Sequence, residues 1–449
     1  GIMNEHGLSI GESTCSGAFG TKAAGHGGVA LLSFDELSRL AMERTRSARE
    51  AIQVMGSLAE RYGFYGTDSS EGSAESFIVA DPAEAFIFHI LPDPTGHSAI
   101  WAAQRVPDDH VGVVANMFVI RELNFTDSEN FLFSTNVQKI AHDRGWWDSG
   151  PFDFTRIYSN GEYKHKYYSG RRVWEAYRRF GLSLTDEYKD LRYDAVYPVT
   201  AKAPSELIGV KDVFSIHRDH YEGTKYDMTK GLAAGPWGTP DRWTTASKKV
   251  RGSWERSIGI FRASSTLVVQ ARHHGQGSVL WYGPHSPSAS CFMPLPAGAA
   301  VPLPYTLGDP DNLSRESAYW AHKYALNVAQ IRYQNAIEDI HDLQAELEAA
   351  GEQLVKALDA KCGSTCEPSW RDAAYSSHAS RILEQFWALP DKLIFKYGDG
   401  YLNDGQPLGY PDWWLQAVGY DKGPPPPPPE TCDSQAQRCV NSCDSTGFR

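Results

Sequence analysis

The apolar positions divide the chain into stretches of different period. From Ile2 to Ile10 they come in short steps punctuated by glycine, the pattern of a strand that turns near a site. Ser33-x-x-Glu36 is a capping box, and Leu37, Leu40, Ala41, Ala48, Ile52, Met55 and Leu58 follow at helical spacing up to Gly63, a usual C-terminal stop. The spacing predicts one helix over 33–62. Between residues 77 and 120, FIVA, AFIFHIL, AIWAAQRV and GVVANMFVI are short, rich in β-branched or aromatic residues, and separated by Pro, Gly or Asp. They predict consecutive strands of an antiparallel meander.

Residues 125–250 are rich in Tyr, Trp, Arg and Asp with little period, which predicts short helices and long loops. Strand patterns return in RSIGIFRASSTLVVQAR (256–272) and GSVLWYG (277–283). From Ser317 to Ala360, residues Tyr324, Val328, Ile331, Ile340, Leu343, Leu347, Leu354 and Leu358 form one apolar stripe broken only near Gly351, and a further helical stretch covers 371–390. Pro424–Pro429 is an unbroken proline run, which makes an extended linker. The domain therefore spans 1–420, with a linker at 421–430 and a Cys-bearing tail at 431–449. Strands, a helix, more strands and then long helices predict an α+β layered fold.

Composition narrows the class. The 449 residues carry 43 Lys+Arg against 55 Asp+Glu, a net charge of −12, with 41% apolar and 12% aromatic residues. This is globular composition, too aromatic and too weakly charged for a disordered chain. The acidic balance argues against nucleic acid or an anionic membrane as the main partner. No apolar run approaches the roughly 20 residues of a membrane span. The chain opens at Gly1 without Met, basic n-region or apolar h-region, so it reads as a processed or incomplete polypeptide.

Of the 7 cysteines, Cys362 and Cys366 sit in CGSTC, while Cys432, Cys439 and Cys443 crowd the C-terminus. A disulfide is expected between 362 and 366, and at least one pair among the last three, with Cys15 left unpaired. The sequons Asn124-Phe-Thr and Asn312-Leu-Ser add expected glycosylation sites. Together these features predict a secreted or lysosomal/vacuolar route.

Common catalytic templates are absent: there is no GxSxG, GxxxxGK[ST], HExxH, or GxGxxG with a following acidic residue. In Ile-His217-Arg218-Asp219-His220-Tyr221-Glu222 the two histidines are spaced to share a metal on a helix. Arg218 between them would repel a cation, so a polar, hydrogen-bonded pocket wall is the better reading. His273-His274 reads as an edge pair at a strand end. Cys15 lies among small polar residues as a nucleophile would, but no base is nearby, and a half-buried structural thiol fits better.

Five motifs stand in order: MNEHGLSIGEST (3–14), ESFIVADPAEAFIFHIL (75–91), WAAQRVPDDHVGVVANMFVI (101–120), HRDHYEGTKYDMTKGLAAGPWGTPDRW (217–243) and YGPHSPSASCFMP (282–294). The chain resembles the cysteine dipeptidases of the N-terminal-nucleophile hydrolase superfamily, the group that includes the secernins. Penicillin V acylases and bile salt hydrolases are more distant kin. The resemblance runs from about residue 2 to about 350, and more loosely to about 415. It implies a four-layer αββα sandwich with long outer helices. It also implies amide hydrolysis by an N-terminal cysteine, whose own α-amino group is the base and whose oxyanion is met by fixed donors.

Carried over residue by residue, the resemblance makes Asn116 in VVANMF an oxyanion or substrate donor, against the plainer role of a strand-end Asn capping a turn. Glu12 and Thr14 would orient the free amine and Ser13 line the pocket, against plain structural roles. Arg242 in PDRW matches an arginine of the acylase relatives. Arg218, Asp219, His220 and Glu222 would form a polar wall gripping the charged ends of a dipeptide. The family's nucleophile lies upstream of the MNE motif, so an upstream peptide carrying it is an expected partner. The sheet is then expected to show a gap beside residues 2–14, with Asn116 and Glu12–Thr14 facing it. The function implied is a cysteine dipeptidase; the alternative is a catalytically silent structural or binding protein of a secreted assembly. No metal and no cofactor is expected, and a homo-oligomer is left open.

Overall fold

Ile2 and Met3 form a short first strand, β1 (Ile2–Met3), that turns back onto β2 (Ser9–Cys15). The turn is built by Asn4, whose Oδ1 accepts from the backbone N–H of His6 (3.0 Å) and Leu8 (3.2 Å) while its Nδ2 donates to Met42 O and Thr45 O. Gly7 in that turn has φ 77°, and a Cβ there would stand 2.2 Å from Ser278 Oγ, so conformation and space both require glycine. The computed structural model describes residues 1–66, 72–161, 167–182, 197–204, 207–245, 247–272, 277–309, 311–362, 365–402 and 405–423. The proline run, the tail with Cys432, Cys439 and Cys443, and His273-His274 lie outside the described residues.

The single helix expected over 33–62 is two, α1 (Phe34–Arg44) and α2 (Ala48–Tyr62). Thr45 is extended and its hydroxyl donates to Ala41 O, closing α1, while Ser47 restarts the helix by accepting from Glu50 N. The meander follows as β3 (Ala74–Ala80), β4 (Ala85–Pro92) and β5 (Ala99–Val106). After β6 (His110–Gly112), the sheet is completed by β7 (Phe131–Phe133), giving the antiparallel order β1-β2-β3-β4-β5-β7.

The fourth expected strand, 112–120, does not form beyond Gly112. Its backbone donors go elsewhere: Val119 and Ile120 N–H both donate to the Nε2 of buried His89, at 2.8 and 3.2 Å. Its β6 stub pairs instead with β8 (Thr200–Lys202). Between these lie α3 (Val137–Asp143), α4 (Phe154–Tyr158) and α5 (Gly170–Arg179).

The sheet is buried on both faces, which explains why its strands read as near-continuous apolar runs. Phe77, Val79, Phe86, Phe88, Ile90 and Trp101 pack on α1 and α2. The alternate residues Ile87, Leu91, Ile100 and Ala102 pack on the 115–123 segment and on α3, α4 and α5.

The rest of the chain builds a separate core. Helix α6 (Val210–His217) precedes a second antiparallel sheet of β9 (Thr266–Gln270), β10 (Val279–Gly283) and β11 (Met293–Pro296), in the order β11-β10-β9. Residues 256–265, expected to continue β9, form no strand. Helices α7 (Ala318–Ala329), α8 (Tyr333–Lys361) and α9 (Pro368–Tyr397) pack their apolar faces with this sheet, and α10 (Asp412–Ala417) follows. The helix break falls at 330–332, a 3-10 turn, and not at Gly351. Gly351 is buried within α8, where a Cβ would come within 3.2 Å of Pro294 and His378. Cys362 and Cys366 form the expected disulfide at the end of α8, with Cα atoms 4.9 Å apart. The fold is thus mixed α+β, and among the described residues no helix is long and apolar enough to cross a membrane.

Candidate active site

Among the described residues β1 covers only Ser9 and Ile10 of β2, so from Gly11 to Cys15 the strand is paired there by β3 alone. Against this open edge stands Asn116. Its backbone N–H donates to Ser13 Oγ at 2.6 Å and its Nδ2 donates to Thr14 O at 2.7 Å. Its Oδ1 accepts from a terminal nitrogen of Arg172 at 2.8 Å, and its carbonyl accepts from Ser169 Oγ at 3.0 Å. Asn116 is held at φ 54°, the left-handed region, so the main chain presents the amide rather than continuing as strand. Thr14 Oγ1 donates to exposed Glu12 Oε1 at 3.1 Å. Glu12, Ser13, Thr14 and Asn116 therefore share one site.

A buried relay fixes this segment from behind. Because two N–H groups point at His89 Nε2, that nitrogen is the acceptor and Nδ1 carries the proton, which is donated to Ser76 Oγ at 2.7 Å. Ser76 Oγ lies 3.0 Å from Cys15 Sγ, which donates to Ser13 O at 3.2 Å. Burial holds His89 down to about 3, so the ring is neutral, and it pushes the Cys15 thiol well up. Cys15 is fully buried and its thiol stays protonated, which is the structural role expected of it.

Arg242 stands apart from the β2 edge, in the wall of a cavity of about 550 Å³ that Tyr168 also lines. The two places are linked through α5: the Tyr168 carbonyl accepts from Arg172 Nε at 2.6 Å, and Arg172 in turn holds Asn116. Arg242 itself donates to Met228 O at 2.7 Å and Thr239 O at 2.9 Å.

Arg218, Asp219 and Glu222 line a third place, a cavity of about 490 Å³ beyond the C-terminus of α6, together with Arg179, Lys211, His341 and Glu348. Arg218 donates to Pro287 O (3.0 Å), Ser290 O (2.9 Å) and both oxygens of Glu348, which leaves little of its fork for a substrate. His220 lies behind that wall, buried, between Glu222 at Nδ1 (2.9 Å) and Ser288 Oγ at Nε2 (3.1 Å). Burial pulls His220 down, but the Glu222 hydrogen bond and the charges of Glu222, Asp241 and Asp219 outweigh it and hold it above the usual histidine value. Burial, then the Glu175 carboxylate beside it, pushes Asp219 up to about 7. Among the described residues no group of three or more His, Cys, Asp or Glu is arranged to hold a metal, and His217, half-buried at the end of α6, has its pKa pushed down to about 4 by desolvation.

Sequence reasoning missed Arg172, which orients the Asn116 amide, Glu175 under Asp219, and Ser288 beside His220. Arg172 was signalled only by GRRVWEAYRR, an arginine-rich helix in the segment read as short helices and loops. The sequons are both exposed: Asn124 accepts from Thr126 and Asn312 donates to Asp309.

Residues 24–346 match the profile of Peptidase family C69. A probable dipeptidase of Latilactobacillus sakei is 26% identical over 306 residues, covering 67% of this chain and 58% of that protein. Probable dipeptidase A of Streptococcus pyogenes serotype M3 (strain SSI-1) is 25% identical over 333 residues, covering 73% of this chain and 65% of its own length. Dipeptidase A of Lactobacillus helveticus is 23% identical over 325 residues, with 71% and 60% covered. The chain spans about three-fifths of the length of these curated relatives. With the profile running through the meander, the Asn116 segment and the cavity walls, the chain belongs to peptidase family C69.

Proposed function

We propose that this protein hydrolyses dipeptides, using as nucleophile a cysteine carried on a segment N-terminal to Gly1. The observation that carries this reading is the Asn116 amide, anchored at both ends beside the unpaired edge of β2. In this reading an extended segment pairs with Gly11–Cys15 and brings its terminal cysteine against Asn116. The thiol attacks the scissile carbonyl and its proton passes to the segment's own α-amino group, whose reference pKa is about 7.7–8.0. The second N–H of Asn116 Nδ2 meets the oxyanion, the amine leaves with the proton, and water hydrolyses the thioester. Glu12 and Thr14 orient the amine and Ser13 lines the pocket. Asp219 and Glu222 suit an ammonium terminus, with His220 setting the position of Glu222 and Arg218 bracing the wall.

The same reading stacks the two sheets face to face between helices, as αββα. It places the protein in a secreted or lysosomal/vacuolar compartment, glycosylated at Asn124 and Asn312; the Cys362–Cys366 disulfide supports an oxidising compartment. Hydrolysis of Ala-Ala by the native protein, before and after iodoacetamide, tests the mechanism. Turnover abolished by alkylation, with a Cys-initiated end found by N-terminal sequencing, is expected. Turnover that survives complete alkylation, or no hydrolysis of any dipeptide, overturns it.

A further inference from the structure

The cavity that holds Arg242 has an unusual wall for so acidic a chain. It presents Arg242, Arg251, Arg256 and Arg262 against one acidic residue, Glu255, in a molecule of net charge −12. Among the described residues none of the four arginines is ion-paired; Glu255 and Asp241 act on Arg242 only through space. Rings, carbonyls and the Tyr168 hydroxyl hold the Arg242 and Arg256 guanidinium groups instead. Arg256 lies over the Tyr168 ring, 4.7 Å from its centroid, and Arg242 faces Trp254 at 5.9 Å. Such contacts orient a guanidinium without neutralising it. The Nε atoms of both Arg242 and Arg256 are also buried without a hydrogen-bond partner among the described residues.

The ligand follows from the number of charges and the neighbours. One carboxylate needs one guanidinium fork; Arg251 and Arg262, exposed in the wall, offer two forks for two carboxylates carried close together, while Arg242 and Arg256, whose nitrogens are largely engaged, add positive charge. Trp254 and Phe261, in the same wall, offer apolar surface to the methylenes between them. The wall is joined to the candidate site through one residue, since Tyr168 lines it and the next residue, Ser169, donates to the Asn116 carbonyl at 3.0 Å. We propose that this cavity is a specificity pocket for dipeptides with an acidic C-terminal residue, whose α-carboxylate and side-chain carboxylate are both taken by the arginines. As a statement about turnover it rests on the dipeptidase reading; as a statement about binding it stands on the cavity alone.

Two measurements separate those levels. On the native protein, kcat/KM for Ala-Glu is expected to exceed that for the isosteric Ala-Gln by about tenfold or more, the scale of discrimination that pocket contacts give. The ratio shrinks as salt rises, falls in Arg262→Gln and in Arg251→Gln, and is better kept by the charge-preserving Arg262→Lys. Equal kcat/KM for the two substrates, or a ratio unmoved in both glutamine variants, overturns the proposal. If no dipeptide is hydrolysed, the reading of function fails by itself, and calorimetric titration with glutarate still tests the pocket. Saturable, salt-sensitive binding weakened in Arg262→Gln supports it, and no binding of glutarate overturns it.

Discussion

Asn116 shows how much one residue's conformation decides. At φ 54° it occupies a region that Asn, Asp and Gly tolerate and alanine avoids. Asn116→Ala should therefore do two things: lower kcat/KM for dipeptides by about 10²–10³-fold through loss of an oxyanion donor, and destabilise the fold by about 1–2 kcal/mol through the backbone. Asn116→Gly keeps the backbone and loses only the amide, so it should show the same loss of activity with a melting temperature closer to wild type. A fully active Asn116→Gly would remove the residue from the chemistry. The thiols give a second expectation at this scale. Cys15 and Cys291 are fully buried, and burial pushes both well above the ordinary thiol range. Peptide mapping after iodoacetamide should find neither modified in the native protein and both modified after unfolding. Asn116 was legible through the resemblance, because VVANMF matches a motif of the family and an uncharged two-donor amide suits an oxyanion. Arg172 was not, because its task depends on which side of α5 meets the 113–120 segment, and no local pattern encodes that.

At the scale of elements, α2 lies so close to the sheet that a single methyl group matters. A Cβ at Gly56 would fall 2.4 Å from the indole of Trp101 on β5, whose Nε1 donates to Glu60 Oε1 on the same helix at 2.8 Å. Helix propensity alone makes Gly56→Ala stabilising by about 1 kcal/mol. Overpacking costs roughly 1–3 kcal/mol and should win, because the indole is pinned and cannot move aside. Chemical denaturation of Gly56→Ala reads the sign, and an increase in stability would show that Trp101 relaxes. The strands β3, β4 and β5 were legible because burial on both faces leaves long apolar runs between turn residues. The stretch 113–120 has the same composition and fails as a strand, since side chains of His89 and Ser76 take over the role of a neighbouring ladder. Likewise the break between α1 and α2 comes from Ser47 capping, a local competition that the continuing apolar spacing hides.

Across the whole molecule, buried histidines govern the response to acid. Burial lowers His89 and His285 to about 3, and buried His322 and His378 and half-buried His217 to about 4. Each contributes stability that is full above the unfolded value near 6.5 and is lost as pH falls toward the folded value. Asp219 and Asp241, raised by burial to about 7 and about 6, run the other way: the stability they add at low pH is lost as pH rises through those values. Five lowered histidines outnumber Asp219, Asp241 and the raised His220 and make acid the destabilising direction, so the melting temperature by calorimetry should fall steadily from pH 6.5 to pH 4. A flat or rising profile would mean that these rings are solvated. The α+β class was readable from the order of strand-like and helix-like segments, whereas the separation into three apolar cores was not, because it depends on which distant segments meet. The open margin of β2 carries a further consequence, for biogenesis. During synthesis Cys15 must wait for Ala74 before β3 exists, and the other side of Gly11–Cys15 stays open until an extended segment pairs with it. Such a margin recruits any extended chain it meets, including another nascent copy, and the lone charge of Glu12 is the guard against that. Quality control during folding thus has its most vulnerable point where the chemistry is proposed to lie.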